Sequence, residues 1–125
     1  MRYYKTIISS IGVEVQSLLE GGVLILFADG APAELAEVSI LHRVEQVSAC
    51  APPVGTVLRI GENAAVVTAV GSGAWSKVSE LGHVVITFNG AEADERPGVI
   101  CASKIDCAAL FTGMQSGTVI ELVDA

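Results

Sequence analysis

Short apolar runs, rich in valine and isoleucine, recur along the chain and are separated by glycine, proline and Asp-Gly or Asn-Gly pairs. Side chains branched at Cβ suit extended backbone, and runs of this length bounded by turn residues read as strands. The pattern predicts strands over roughly 4–11, 22–28, 38–44 and 56–60, then 64–70, 83–88, 98–102 and 118–123. Asp29-Gly30 and Asn89-Gly90 supply the positive φ angles that tight turns require. Pro32, Pro52, Pro53 and Pro97 fall between strands, where a missing N–H costs no ladder bond. Only 74–81 has a clear helical period, with Ala74, Trp75, Val78 and Leu81 three or four apart and Gly82 as a stop. A second short helix is expected over 32–37, with Pro32 in its first turn.

The pattern also repeats at a spacing of about 60 residues. Ile7-Ile8-Ser9-Ser10-Ile11-Gly12 is answered by Val66-Val67-Thr68-Ala69-Val70-Gly71, and Gly21-Gly22-Val23-Leu24-Ile25-Leu26-Phe27 by Gly82-His83-Val84-Val85-Ile86-Thr87-Phe88. Asp29-Gly30-Ala31 returns as Asn89-Gly90-Ala91, and Gly55-Thr56-Val57-Leu58 as Gly117-Thr118-Val119-Ile120. Half of so short a chain buries too little surface to stand alone, so the two halves are expected to share one core. The expected architecture is therefore all-β: a single domain over 1–125, a small, partly open barrel or sandwich of two intertwined repeats, approximately 4–62 and 63–123, with one or two short helices.

Composition narrows the function. Seven basic and fourteen acidic residues give a net charge of −7, with no basic stripe to neutralise a phosphate backbone or adhere to an anionic membrane, so nucleic-acid and membrane-surface roles are excluded. No apolar run reaches the roughly 18 residues of a spanning helix, and Ser9, Ser10 and Gly12 break the first apolar stretch, so neither membrane insertion nor a secretory leader is expected. Cys50, Cys101 and Cys107 are odd in number and lack metal-type spacing; they read as buried thiols of a cytoplasmic protein.

Candidate chemistry is sparse. The chain has no GxxxxGK[ST], HExxH, GxSxG or GxGxxG. Glu92, Asp94 and Glu95 read as a solvated loop rather than a metal site, and Ser9, Ser10 and Ser72 have no neighbouring base. Two histidines remain, and each breaks the repeat: His42 aligns with Ala102, and His83 with Gly22. Alternation along the strand puts Arg43 on the face opposite His42. A histidine at a strand end ordinarily serves as a hydrogen-bonded structural group, and the residues alone leave that reading and a catalytic one both open.

Three stretches bear on the choice: Phe27-Ala28-Asp29-Gly30-Ala31-Pro32-Ala33-Glu34-Leu35 leading to His42; Val67-Thr68-Ala69-Val70-Gly71 followed by Glu80-Leu81-Gly82-His83-Val84; and Phe88-Asn89-Gly90 with Pro97-Gly98. Together they resemble the glucitol/sorbitol-specific IIA component of the bacterial phosphoenolpyruvate-dependent sugar phosphotransferase system. The resemblance implies a cytosolic phosphocarrier that takes a phosphoryl group from HPr on a histidine and passes it to the IIB part of the IIB/IIC permease. In the family the acceptor follows the Gly-Ala-Pro-Ala segment, which places it at His42; His83, if folded close to it, is then expected to donate a hydrogen bond to the phosphoryl oxygens. Such a step requires no metal or cofactor: a neutral imidazole has a free lone pair and an ordinary pKa of about 6.5. The expectation is of an accessible His42 beside an apolar docking patch at Ile40 and Leu41. The alternatives are a related β-barrel binding or regulatory domain that is not phosphorylated, and a structural domain forming a homodimer through exposed strand edges.

Overall fold

The computed structural model describes residues 1–92 and 97–124. Asp94 and Glu95 of the acidic loop lie outside the described residues.

Eight strands and four short helices follow in the order β1 (Arg2–Ile11), α1 (Val15–Glu20), β2 (Val23–Ala28), α2 (Ala33–Val38), β3 (Ile40–Val47), β4 (Val57–Ile60), β5 (Asn63–Val70), α3 (Ala74–Leu81), β6 (Val84–Thr87), β7 (Val99–Ala102), α4 (Cys107–Gly113) and β8 (Val119–Val123). Every predicted strand is present. The helices α1 and α4 were not anticipated: at six and seven residues they span under two turns, too short for a 3.6-residue period to stand out from a strand-length apolar run. Their local chemistry is nonetheless legible. Val15, Leu18 and Leu19 share one face of α1, and the Asp106 carboxylate caps α4 by accepting the Ala109 N–H at 3.0 Å.

The strands close into a barrel in the order β1-β3-β2-β6-β7-β5-β4-β8, with β8 returning to β1. The β2–β3 and β6–β7 pairs are parallel and the other six are antiparallel. The expectation of a partly open barrel or sandwich is thereby sharpened to a closed one. Closure also removes the free strand edges on which a homodimer was imagined, because each strand is paired on both sides.

Alternation fills the interior. Tyr4, Thr6 and Ile8 of β1, Leu24 and Leu26 of β2, Ile40 and His42 of β3, and Val84 and Ile86 of β6 are buried, while the residues between them within each strand are less so. Trp75 and Val78 of α3, Val15 and Leu19 of α1 and Leu110 of α4 join the same core. The indole N–H of Trp75 donates to the Ser48 carbonyl at 2.7 Å, which satisfies the polar end of a ring that is otherwise in apolar contact. Among the described residues no helix is long and apolar enough to cross a membrane.

Candidate functional site

Both histidines take their direction from the strands that carry them. In β3, Ile40 and His42 share parity and point into the barrel, whereas Arg43 is exposed and lies 4.0 Å from Glu45. In β6, Val84 and Ile86 point inward, and His83, immediately before them, has the outward parity and is partly buried. The sequence alternation contained both directions.

His42 is not accessible. Its exposure is 0 % and both ring nitrogens are engaged, which corrects the expectation of an open acceptor at this position. A carbonyl can only accept, so the 2.6 Å contact between Nε2 and the Gly82 oxygen makes Nε2 the protonated nitrogen. Nδ1 of the neutral ring then carries the lone pair, which is taken by the Thr6 hydroxyl at 2.6 Å. Thr6 is itself fully buried on β1, and Tyr4 packs edge-on against the imidazole at 6.2 Å between centroids. Burial lowers the pKa of His42, opposed by the Gly82 carbonyl and the negative charge of Asp29, so the ring is held neutral. Ile40 is sealed with it and Leu41 is half-buried, so the apolar patch expected there does not form.

Gly82 links the two histidines. It stops α3 with φ +62°, donates its N–H to the Val78 carbonyl, and lies so close to β2 that an added Cβ would sit 2.8 Å from the Ala28 methyl. Only glycine meets both the positive φ and the close approach. Its carbonyl receives the His42 proton, and the next residue is His83.

His83 presents the complementary arrangement. Nδ1 lies 3.1 Å from the Leu26 carbonyl and must be the donor, which leaves the lone pair on Nε2. The Phe27 ring packs against the imidazole at 4.9 Å between centroids, on the outer surface of the barrel. Ring orientation and tautomer are thus set from β2.

The sequence singled out neither Thr6, Gly82, Leu26 nor Phe27 for this role. Ser9, which lacks a base nearby in the chain, gains one in space: its hydroxyl donates to the Asp29 carboxylate at 2.8 Å. Asp29 also donates its backbone N–H to the His42 carbonyl at 3.0 Å. Cys101 is buried as expected, but Cys50 is exposed and Cys107 partly so. No group of metal-binding side chains exists among the described residues.

Under the repeat alignment the other half of the barrel keeps Gly21 in place of Gly82 and Phe88 in place of Phe27, but lacks the polar side chains of this arrangement. Ala65 stands for Thr6, Ala102 for His42 and Gly22 for His83. The backbone pairing is similar there, with the N–H of Gly90, one place beyond the counterpart of Asp29, donating to the Ala102 carbonyl at 2.8 Å. The histidine chemistry is a departure of side chains on a shared frame.

Comparison with known proteins agrees with this frame. The sequence profile of the family described as "PTS system glucitol/sorbitol-specific IIA component" matches residues 3–121. Proteins named glucitol/sorbitol-specific EIIA component from Shigella flexneri and from Escherichia coli (strain K12) are each 37% identical over 97 residues, 78% of this chain and 78% of theirs. The crystal structure of a PTS system IIA component from Enterococcus faecalis V583 superimposes with a TM-score of 0.79 at 21% identity, covering 95% of this chain and 98% of that one, which extends the likeness to the fold.

Proposed function

The chain belongs to the family of glucitol/sorbitol-specific IIA components of the sugar phosphotransferase system, and on that premise we propose that it is a cytoplasmic phosphocarrier whose acceptor atom is Nε2 of His83. The observation that carries the choice of residue is the Nδ1–H bond to the Leu26 carbonyl, which leaves the lone pair on Nε2 without a partner among the described residues. In the forward step that lone pair forms a bond to phosphorus as the bond between phosphorus and the donor's leaving atom breaks. No proton need leave the ring, so no separate base is required. The phosphorylated imidazole keeps its proton on Nδ1, where the Leu26 carbonyl supports the positive charge. In the onward step the N–P bond breaks and the lone pair returns to Nε2. The transition state is loose and in-line, which makes orientation of the ring the main task of the protein.

The donor in this reading is HPr and the acceptor the IIB component of the permease, each visiting the same face in turn. Exposed Leu81, two residues before His83, offers an apolar contact, and the chain's net charge of −7 suits a partner with a basic face. We further read the chain as one domain of two repeats, 4–62 and 63–123; in support, the strand order is unchanged when β1–β4 exchange with β5–β8.

A second reading keeps His42 as acceptor, favoured by its place after Gly30-Ala31-Pro32-Ala33. It requires the ring to give up the Thr6 or the Gly82 hydrogen bond and to reach solvent, neither of which holds in this structure. Incubation with phosphoenolpyruvate, the general enzyme of the system and HPr, followed by intact mass at alkaline pH, separates the two. Our reading expects one acid-labile phosphoryl group, lost in His83→Ala and retained, though formed more slowly, in His42→Gln. Label lost in His42→Gln and kept in His83→Ala overturns it in favour of the second reading. No label in the wild-type protein makes it a related binding domain.

A further inference from the structure

The helices that lead into β2 and β6 lie at opposite ends of the barrel, because those two strands run antiparallel. At the α1 end, where α1 meets α4, an open cleft of about 320 Å³ remains. We infer that this cleft is a binding site for a small aromatic amine, a flat apolar ring carrying an ammonium group. It lies away from His83, which follows α3, and the inference holds whichever histidine accepts the phosphoryl group.

Three observations carry it. First, the internal repeat shows what such a space accommodates. The alignment that pairs Gly12 with Gly71 also pairs Val15 with Ala74, Leu19 with Val78 and Gln16 with Trp75. The first two pairs are buried alike, and the third differs. The indole of Trp75 packs into the core and donates its N–H to the Ser48 carbonyl at 2.7 Å. Ser48 is matched by Ala108, which lines the cleft together with Gln16. A frame that buries an indole in one half thus carries a shorter, exposed amide in the other, and leaves the cleft.

Second, the lining sets the charge of the occupant. Leu19 and the half-buried Phe111 supply apolar walls. Cys107 adds to them, since burial and the Asp106 carboxylate raise its pKa and keep the thiol protonated. The polar side chains are the Glu20 carboxylate, the Gln16 amide and Thr112, whose hydroxyl already donates to the Ala108 carbonyl at 3.0 Å. Acceptors therefore outnumber donors, and the one charge is negative. A carboxylate beside an aromatic wall suits an ammonium group, while the lining has no cation to receive an anionic ligand.

Third, that carboxylate is free. Glu20 has no hydrogen-bond or ion-pair partner among the described residues. A second depression, about 390 Å³ beside Pro53, Val54 and Thr56, has Asp124 as its charged group, and Asp124 already holds the N-terminal amine at 2.8 Å. The barrel interior leaves about 10 Å³, too little for a ring.

The test uses tryptamine as the probe, with indole-3-acetate, a similar ring of opposite charge, as its counterpart. Binding to the full 15N-labelled chain is followed through the backbone amide shifts. A ligand of this size should reach a Kd on the order of 1 mM, with shifts concentrated in α1 and α4. Indole-3-acetate should bind at least about tenfold more weakly, and Glu20→Gln should weaken tryptamine by about three- to fivefold. Gln16→Trp supplies from within the chain the ring that α3 already has, and should abolish the tryptamine shifts. Where Gln16→Trp fails to fold, Ala108→Leu, which narrows the cleft from α4, should weaken tryptamine at least about tenfold. Equal affinity for the amine and the acid overturns the inference, as do shifts that centre on other elements or persist undiminished in the cleft-filling variant. So does the absence of any shift at about 20 mM tryptamine, well above the expected Kd.

Discussion

The Nε2–H of His42 meets the carbonyl oxygen of Gly82 at 2.6 Å, so that a strand of the first half of the barrel holds the peptide on which the second half carries its imidazole. The residues are 40 apart in sequence and both are buried.

That contact, with the Thr6 bond, makes His42 expensive to remove. His42→Ala leaves the Gly82 carbonyl and the Thr6 hydroxyl without partners and opens a cavity. Each buried orphan costs about 1–3 kcal/mol and the cavity adds to it, so urea unfolding should show a loss of about 3–5 kcal/mol. A loss under about 1 kcal/mol is inconsistent with the hydrogen bonds described.

Acidification should weaken the fold through the same residue. The pKa of His42 is lowered in the folded protein, so between that value and the unfolded value of about 6.5 the unfolded chain binds more protons. The stabilisation is complete above pH of about 6.5 and is lost as pH falls through the folded pKa. Urea midpoints measured across this range should decline on the acid side for the wild type, and that part of the decline should vanish in His42→Gln. The charge facing the ring, on Asp29, works against the shift, so Asp29→Asn should lower the His42 pKa further.

Gly82 should tolerate no side chain. In Gly82→Ala the methyl meets Ala28 at 2.8 Å and the backbone must keep φ +62°, so strain and overpacking combine to about 2–4 kcal/mol. Gly73→Ala is the control: φ is +73° but nothing lies within 4 Å, and the cost should be about 1 kcal/mol. Equal urea midpoints for the two variants contradict the packing of α3 on β2.

The tightest approach is elsewhere. A Cβ on Gly12 would collide with the Ala36 and Glu37 carbonyl oxygens, both backbone atoms of α2. Gly12→Ala should lose on the order of 3 kcal/mol, seen as a drop in thermal midpoint, and should disturb α2 before any other element.

Much of this architecture is written locally in the chain, and the part that is not depends on partners far away in sequence. The strands were legible because runs such as Val23–Ala28 and Val84–Thr87 are bounded by turn glycines. Barrel closure was not, since it rests on β1 meeting β8, Tyr4 opposite Leu122, at the two ends of the chain. The directions of the histidines could have been read: His42 shares parity with Ile40, and His83 with the outward Val85 and Thr87. Their hydrogen-bond partners could not. Thr6 and Gly82 lie 36 and 40 residues from His42, and nothing around either singles it out as a ligand of an imidazole. An accessible His42 followed from its position relative to the Gly-Ala-Pro-Ala segment, and the pleat overrides that expectation.

Because β2 and β3 come from the first half of the chain and β6 from the second, each half holds one imidazole and a carbonyl for the other: Leu26 for His83, and Gly82 for His42. Two polypeptides encoded separately, divided at the loop between β4 and β5, would each be chemically mute. Carrier activity would appear only on reassembly of the pair, giving a direct reporter of whether the two pieces had found one another.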